Sequence, residues 1–254
     1  MPATETPMET RRFDVPRYLA VLPLFQEMTP LELERLADGC RLRRFARGDD
    51  VFRIGQPCEE FHVTVMGQVK LFAISPAGQE KVIELVGPGN TFAEALMFTD
   101  KPYIINAQSL SDTLLLSVSK QAVVGEIERD SRFALRMLAG ISRRLHGLVH
   151  DVQAYALHSG LQRVIGYLLR DLPEDADDAA AMTLHGAGAG VPPPARARRV
   201  SLPVSKATIA SRLSLTPEYF SRVLHELEAE GLIHIDKREI QILDPSRLAT
   251  FPPA

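Results

Sequence analysis

The spacing of apolar positions changes along this chain, and the changes divide it. Near the C-terminus, Phe220, Val223, Leu224 and Leu227 recur at three- and four-residue intervals, one apolar stripe that predicts an amphipathic helix from Pro217 to Glu230. Its start is well marked. Thr216 can cap the N-terminus, Pro217 suits a first position that needs no N–H, Glu218 sits at the positive end of the dipole, and Gly231 follows as a stop. A shorter helix, Lys206 to Leu213 behind the cap Ser205, is predicted just before it, with Ser214-Leu215-Thr216 as the tight turn between the two. After Gly231, the run LIHIDKREIQIL sets two β-rich stretches around Asp236-Lys237-Arg238, which predicts a hairpin. Two helices, a turn and a hairpin make a winged helix.

Upstream the texture differs. Residues 1–15 are polar, with prolines and threonines, and are expected to be a flexible tail. Between Pro16 and Gly39 the pattern suggests short helices, and Thr29-Pro30 with Glu32 is a good start for LELERLADG. From Arg41 to Ser119, runs such as FHVTVMG, VKLFAIS, KVIELVG and TLLLSVS alternate with glycines, the pattern of a small antiparallel sandwich or barrel. One long helix then spans Asp130 to Ala156. Ala134, Leu138, Ile141, Leu145, Leu148, Val152 and Tyr155 step by four and three, the a/d repeat of a coiled coil, although a single buried helix can show a similar stripe. LQRVIGYLLRDL predicts another helix, and the acidic, Ala-, Gly- and Pro-rich segment 173–199 is expected to be a mobile insertion. The expected organisation is a tail (1–15), a β domain (16–125), a long helix (126–156) and a winged-helix domain (157–254).

Composition narrows the chemistry. With 254 residues, 45% hydrophobic and 24% charged, the chain suits two globular domains better than one. Its net charge of −3 means that nucleic-acid binding must use a local patch, for which Arg196, Arg198, Arg199, Lys206, Arg212, Arg222, Lys237 and Arg238 are available. Two cysteines, Cys40 and Cys58, make neither a disulfide scaffold nor the four thiolates of an iron–sulfur cluster. There is no long apolar run and no signal-peptide pattern, so no membrane association and a cytoplasmic location are expected. A cupin-type metalloenzyme would need several converging ligands, and His62 is the sole histidine between Arg41 and Ser119. No nucleophile–base pair supports an enzyme.

Candidate chemistry therefore centres on the second helix of the winged domain. Glu218, Ser221 and Arg222 fall on one face near its N-terminal end, the end that recognition helices push into the major groove. Arg can grip guanine O6 and N7 with two hydrogen bonds, Glu can accept from cytosine N4, and Ser suits either base edge. The competing reading is a solvated face carrying an i,i+4 Glu–Arg pair. Lys237 and Arg238 at the hairpin tip, with Ser205, Lys206 and Thr216 at the helix starts, are candidate phosphate contacts, which position the protein without reading sequence.

These residues resemble the DNA-binding domain of the CRP/FNR family of bacterial transcription regulators. Glu218-x-x-Ser221-Arg222 is similar to the reading triplet of the FNR branch, which implies a TTGAT-N4-ATCAA site on double-stranded DNA. Ser214 departs from the family, whose turn usually holds glycine. The run GQVKLF, GQEKVIELVGPGNTFAE and ALMF resembles the β-roll of cyclic-nucleotide-type sensor domains. The implied fold is α+β: an N-terminal double-stranded β-helix, a long dimerisation helix and a C-terminal winged helix-turn-helix. A homodimer through Leu138, Ile141, Leu145, Leu148, Val152 and Tyr155, and contact with RNA polymerase, come with the resemblance. Cyclic AMP does not. Cyclic-nucleotide-binding members follow a small residue and a glutamate with an Arg-Ser pair, and here Ala93-Glu94 is followed by Ile104, Ile105 and Asn106, leaving no arginine for the phosphate. The oxygen-sensing cysteine cluster of the FNR branch is likewise not expected, since no cysteine of this sequence precedes Cys40.

Within the family, NTFAEALMF, SRRLHGLVHDV and PEYFSRVLHELEAEGLIHIDKREIQILD are similar to the dissimilative-nitrate-respiration type of regulator. The similarity implies an activator of denitrification genes that senses nitric oxide, as its small-molecule effector, through heme b. A heme needs an axial ligand, most plausibly histidine. Candidates are His62 in a β-run, and His146 with His150 on outward positions of the long helix. Each has a plainer reading, as a satisfied strand histidine or a solvated helical pair.

Overall fold

The computed structural model describes residues 13–25, 28–170, 198–202 and 204–252. Most of the expected tail, most of segment 173–199 and Arg196 lie outside the described residues, as do the side chains of Tyr155 and His150. Contacts divide the chain into two compact units, Met1–Asp151 and Val152–Ala254.

The first unit opens with α1 (Val15–Ala20) and α2 (Pro30–Asp38). Thr29 and Glu32 form a reciprocal capping box at the start of α2, so two donors that the helix leaves unpaired are satisfied where the sequence pattern placed the start. Two four-stranded antiparallel sheets follow and build the β-roll: β1 (Cys40–Phe45), β8 (Thr113–Ser119), β3 (Glu60–Met66) and β6 (Thr91–Phe92) in one, β2 (Asp50–Phe52), β7 (Asn106–Ser109), β4 (Val69–Ile74) and β5 (Glu80–Val86) in the other. Register decides what the roll holds. Arg41, Ser117, His62 and Phe92 are directly opposed across four strands, so their side chains share one face. The alternate positions Phe61, Val63, Leu116 and Val118 are fully buried, with Phe25 lying 6.2 Å from the Phe61 ring.

A helix absent from the sequence expectation, α3 (Lys120–Arg129), precedes the long helix α4 (Ser131–Leu157). The long helix starts at Ser131, next to the Asp130 expected from the sequence, and residues 126–129, grouped with it in the expected domain division, belong to α3; the extended backbone of Asp130 (φ −141°, ψ 104°) separates the two helices. Ion pairs with buried carboxylates tie α2 to both, Arg35 to Glu126 at 2.7 Å and Arg136 to Glu32 at 2.6 Å. Phe133 and Met137 anchor the first turns of α4 in the core.

In the second unit, α5 (Gly160–Arg170) buries Leu161, Val164, Ile165 and Leu168 at helical spacing. It is followed by α6 (Lys206–Arg212), α7 (Pro217–Ala229), the hairpin β10 (Ile233–Asp236) and β11 (Glu239–Ile242), and α8 (Pro245–Ala249). The sheet has a third strand. Arg198 and Arg199, expected to belong to the mobile insertion, begin β9 (Arg198–Ser201), which pairs antiparallel with β11. The cause is the open edge of β11, whose backbone groups need partners that the hairpin alone does not supply.

Candidate functional site

Why α7 forms where it does is now explicit. Thr216 Oγ1 accepts the Tyr219 N–H at 3.2 Å, Pro217 takes the first helical position, and Gly231 at φ +67° follows the end. Phe220, Val223, Leu224 and Leu227 are all buried, worth roughly 1.5–3 kcal/mol each. The opposite face is left outward: Glu218 and Arg222 are exposed and Ser221 half-buried. Leu213 closes α6, and Ser214 makes the turn in a left-handed conformation at φ +56°, a strained choice for a residue with a Cβ. Arg163 of α5 braces that turn, its Nη1 donating to the Leu213 carbonyl at 2.6 Å.

Of the expected phosphate contacts, Ser205 caps α6 through Thr208, Thr216 caps α7, and Lys206 is half-buried. Lys237 and Arg238 form the exposed two-residue tip between Asp236 and Glu239, which pair at the end of the ladder. Lys237 also takes a positive φ, +54°. Tip, turn and reading helix all belong to the same compact unit.

The β-roll presents a different kind of site. A cavity of about 750 Å³ is lined by Arg41 and Arg43 of β1, Phe52 of β2, Glu60 and His62 of β3, and Ser117 of β8, with Tyr103 alongside. His62 is 1% exposed and lies 5.8 Å from the Phe52 ring and 5.0 Å from that of Phe92. Its Nδ1 is 2.9 Å from Ser117 Oγ, while Nε2 is buried without a partner. Burial, with a smaller contribution from the Arg43 charge, pushes the imidazole down to about 3, so it is neutral at ordinary pH. Arg43 pairs with Glu60 at 2.5 Å. Tyr103 stacks parallel on Phe52 at 3.7 Å and donates its hydroxyl to the Glu60 carbonyl, and burial raises its pKa. Only His62 among these was singled out from sequence. The alternation in CRLRRF, which sets Arg41 and Arg43 on one face of β1, is the local signal that marks the charged wall.

Elsewhere in the roll, Ala93 is left-handed (φ +69°) and Glu94 is buried, accepting from Thr91 Oγ1 at 3.3 Å. Where an Arg-Ser pair would face a cyclic phosphate, Ile104 is exposed and Asn106 Oδ1 accepts the Ile54 N–H at 3.0 Å. Cys40 is buried, its thiol donating to the Leu36 carbonyl and raised to about 12, the reverse of a thiolate ligand. Among the described residues no cluster of three or more His, Cys, Asp or Glu is placed to hold a metal ion, and no helix is long and apolar enough to cross a membrane.

On α4 the expected a/d stripe stands outward. Leu138, Leu145 and Val152 are 56%, 58% and 64% exposed, and Leu148 is at the border of exposure, whereas Ile141 is half-buried. His146 is exposed on the same helix.

Comparison with known proteins agrees with this architecture. The cyclic nucleotide-binding domain model matches residues 42–130, and the Crp-like helix-turn-helix domain model matches residues 162–251. The chain is 24% identical over 226 residues to the Cyclic AMP receptor protein of Thermus thermophilus, spanning 89% of this chain and 94% of that one. It is 34% identical to DNR from Pseudomonas aeruginosa, covering 93% of this chain and 96% of DNR, with a TM-score of 0.49. FixK2 from Bradyrhizobium japonicum shares the fold at TM-score 0.68 and 20% identity, covering 85% of this chain and 98% of FixK2. A relative in Mycobacterium tuberculosis, 24% identical over 231 residues and spanning 91% of this chain and 96% of that one, is named a CRP-like cAMP-activated global transcriptional regulator. A cyclic nucleotide-binding domain and a Crp-like helix-turn-helix domain, matched in one chain and together covering most of it, establish that this protein belongs to the CRP/FNR family of DNA-binding transcription regulators.

Proposed function

We propose that the chain is a homodimeric transcription activator that reads a two-fold site of the TTGAT-N4-ATCAA kind with Glu218, Ser221 and Arg222, under control of a small effector held by the β-roll. The observation that carries the reading is the exposure of Glu218 and Arg222 on a helix whose apolar residues are all buried. Proteins of this family act on DNA as dimers, and the outward stripe of α4 from Leu138 to Val152 is the surface that a second copy would cover. Pairing there fixes the separation of two reading helices, so that they meet half-sites about one DNA turn apart. Lys237, Arg238, Ser205, Lys206 and Thr216 then fasten the backbone, and the bound dimer contacts RNA polymerase.

For the effector, the cavity beside His62 favours a small polar molecule. Its volume is in the range of ligand sites, its walls carry Arg41, Arg43 and Glu60, and the unpartnered Nε2 offers a hydrogen-bonding atom that a ligand would satisfy. Cyclic AMP is disfavoured, because residues 104–106 supply no cation for its phosphate.

Likeness to the dissimilative-nitrate-respiration type of regulator supports a second reading, nitric oxide sensed through heme b. His62 has the neutral ring and free nitrogen of an axial ligand, yet the cavity does not fit a macrocycle: Asp38, Glu59 and Glu60 line it beside the two arginines, where an apolar slot is required. On that reading the heme would be held away from His62, with His146 and His150 of α4 as the remaining candidates.

Anaerobic fluorescence-anisotropy titration of the TTGAT-N4-ATCAA duplex, at fixed salt and with or without heme and a nitric oxide donor, tests both. Tight binding only with heme and nitric oxide, alongside a Soret band at stoichiometric heme, would establish the second reading. Sequence-specific binding that ignores heme would leave the polar cavity as the effector site. Equal affinity for the specific and a scrambled duplex would sink the assignment of the reading helix.

A further inference from the structure

Arg222 lies over an aromatic ring. Its guanidinium carbon lies 4.8 Å from the ring centroid of Tyr219, one turn earlier on α7. At that distance the ring can take the face of the guanidinium, and a guanidinium that meets an aromatic ring face-on keeps its five N–H groups, all in its plane, for other partners. Those are the groups that a guanine edge takes.

The ring itself is seated by a glycine. A Cβ built on Gly160, the first residue of α5, would lie 2.6 Å from Tyr219 Cε1 and 2.9 Å from both Cζ and Oη. Gly160 has an ordinary negative φ, so the backbone does not call for glycine there; the close approach of the ring does. Three residues on, Arg163 holds the turn between α6 and α7 through the Leu213 carbonyl. One short stretch of α5 thus fixes both the turn and the aromatic platform.

We propose that Tyr219, seated in the gap left by Gly160, is a positioning residue for guanine recognition. Its ring confines Arg222 to rotamers whose N–H edge faces the DNA, so less side-chain freedom is lost on binding and a wrong base is met by a guanidinium that cannot swing to another partner. The inference rests on the reading that Arg222 contacts a base.

The test uses the full-length protein in anisotropy titrations against the specific duplex, a set in which each guanine of the site is replaced in turn, and a scrambled duplex, all at one salt concentration. Tyr219→Phe keeps the stack and should behave as wild type. Tyr219→Leu and Tyr219→Met should weaken the specific duplex by roughly two- to five-fold, the scale of a cation–π contact at an exposed site. The loss should be confined to duplexes that retain the guanine read by Arg222, with scrambled DNA unaffected. Gly160→Ala, which displaces the ring without touching α7, should act in the same direction. Tyr219→Leu added to Arg222→Ala should cost nothing further, because the platform acts through the arginine. Wild-type discrimination at every guanine in Tyr219→Leu and Tyr219→Met, or equal losses on specific and scrambled DNA, would overturn the proposal while leaving Arg222 as a reader. Equal losses on both duplexes for Arg222→Ala would remove the reading itself, and the proposal with it.

Discussion

The β-roll and the reading helix of the winged domain put their polar groups in opposite places. In the winged helix the buried positions of α7 are apolar, and polar residues such as Glu218 and Arg222 stand outward. In the roll, His62, Thr64, Ser109 and Ser117 are all buried, and three of them keep a side-chain atom without a partner: His62 Nε2, Thr64 Oγ1 and Ser109 Oγ. A buried unsatisfied polar group costs roughly 1–3 kcal/mol. A reading surface can be added to the outside of a finished core, whereas a ligand cavity must interrupt the core and weaken it. Along α4, Leu138, Leu145 and Val152 stand outward of the protomer's core.

If that stripe is the seam between two copies, breaking it gives the largest effect. Leu138→Glu with Leu145→Glu places carboxylates in the seam and should reduce affinity for the two-fold duplex by more than about 100-fold, the equivalent of roughly 3 kcal/mol. Sedimentation should then report a monomer, with circular dichroism unchanged because neither residue belongs to the protomer core. A dimer that survives both changes would move the interface elsewhere.

Acid should separate the two units next. The His62 imidazole is held down to about 3 in the folded state against 6.5 when free. Between those values the unfolded chain takes up a proton that the folded chain refuses, so stability falls as the pH drops below 6.5 and is constant above it. The loss at pH 5 is about 2 kcal/mol. Glu32 in the first unit and Glu228 in the second are held below their ordinary values, and their contributions disappear only at lower pH, as it falls through those depressed values. Hydrogen exchange resolved by segment should therefore show protection in the β-roll declining between pH 6.5 and 5, with that of α7 steady. His62→Gln should abolish the decline; if the slope persists in that variant, another group is responsible.

The same contrast explains what was legible in the sequence. Helix α7 was readable from Thr216 to Gly231 because its cap, its stripe and its stop are local, each within four residues of the next. The hairpin tip at Lys237-Arg238 and the capping box at Thr29 were legible for the same reason. The cavity was not. His62 meets Ser117, 55 positions away, and Phe52 meets Tyr103 across a similar distance, contacts that exist only once eight strands have closed. Nothing beside His62 in the sequence announces that it is enclosed. Strand β9 was hidden for a related reason, since Arg198 and Arg199 sit in a segment of loop-like composition and become a strand only because β11 has an open edge.

On the reading face the expected effects are smaller and differ in kind. Arg222→Ala should cost about 1–3 kcal/mol on the specific duplex and relax preference at one base pair. Lys237→Ala should weaken specific and scrambled duplexes alike and reduce the salt slope by about one unit. Should Lys237→Ala change base preference, the wing tip would be a reader and not a backbone contact.

The smallest expected effect lies at the turn. Ser214 holds φ +56°, a conformation that costs a residue with a Cβ roughly 1 kcal/mol and a glycine almost nothing. Against that relief stands the greater freedom of glycine in the unfolded chain, about 0.4–1 kcal/mol. The two nearly cancel, and Ser214→Gly should therefore raise stability by no more than about 0.5 kcal/mol, a shift of a few degrees in the melting of the winged helix. Backbone groups also hold the turn: the Ser214 N–H donates to the Ser211 carbonyl at 3.2 Å, the Leu215 N–H to the Ala210 carbonyl at 2.8 Å, and the Arg163 guanidinium to the Leu213 carbonyl. A clear fall in melting temperature would show that the hydroxyl itself holds the turn. The angle between α6 and α7 would then depend on a side chain, where the family's usual glycine leaves it to the backbone.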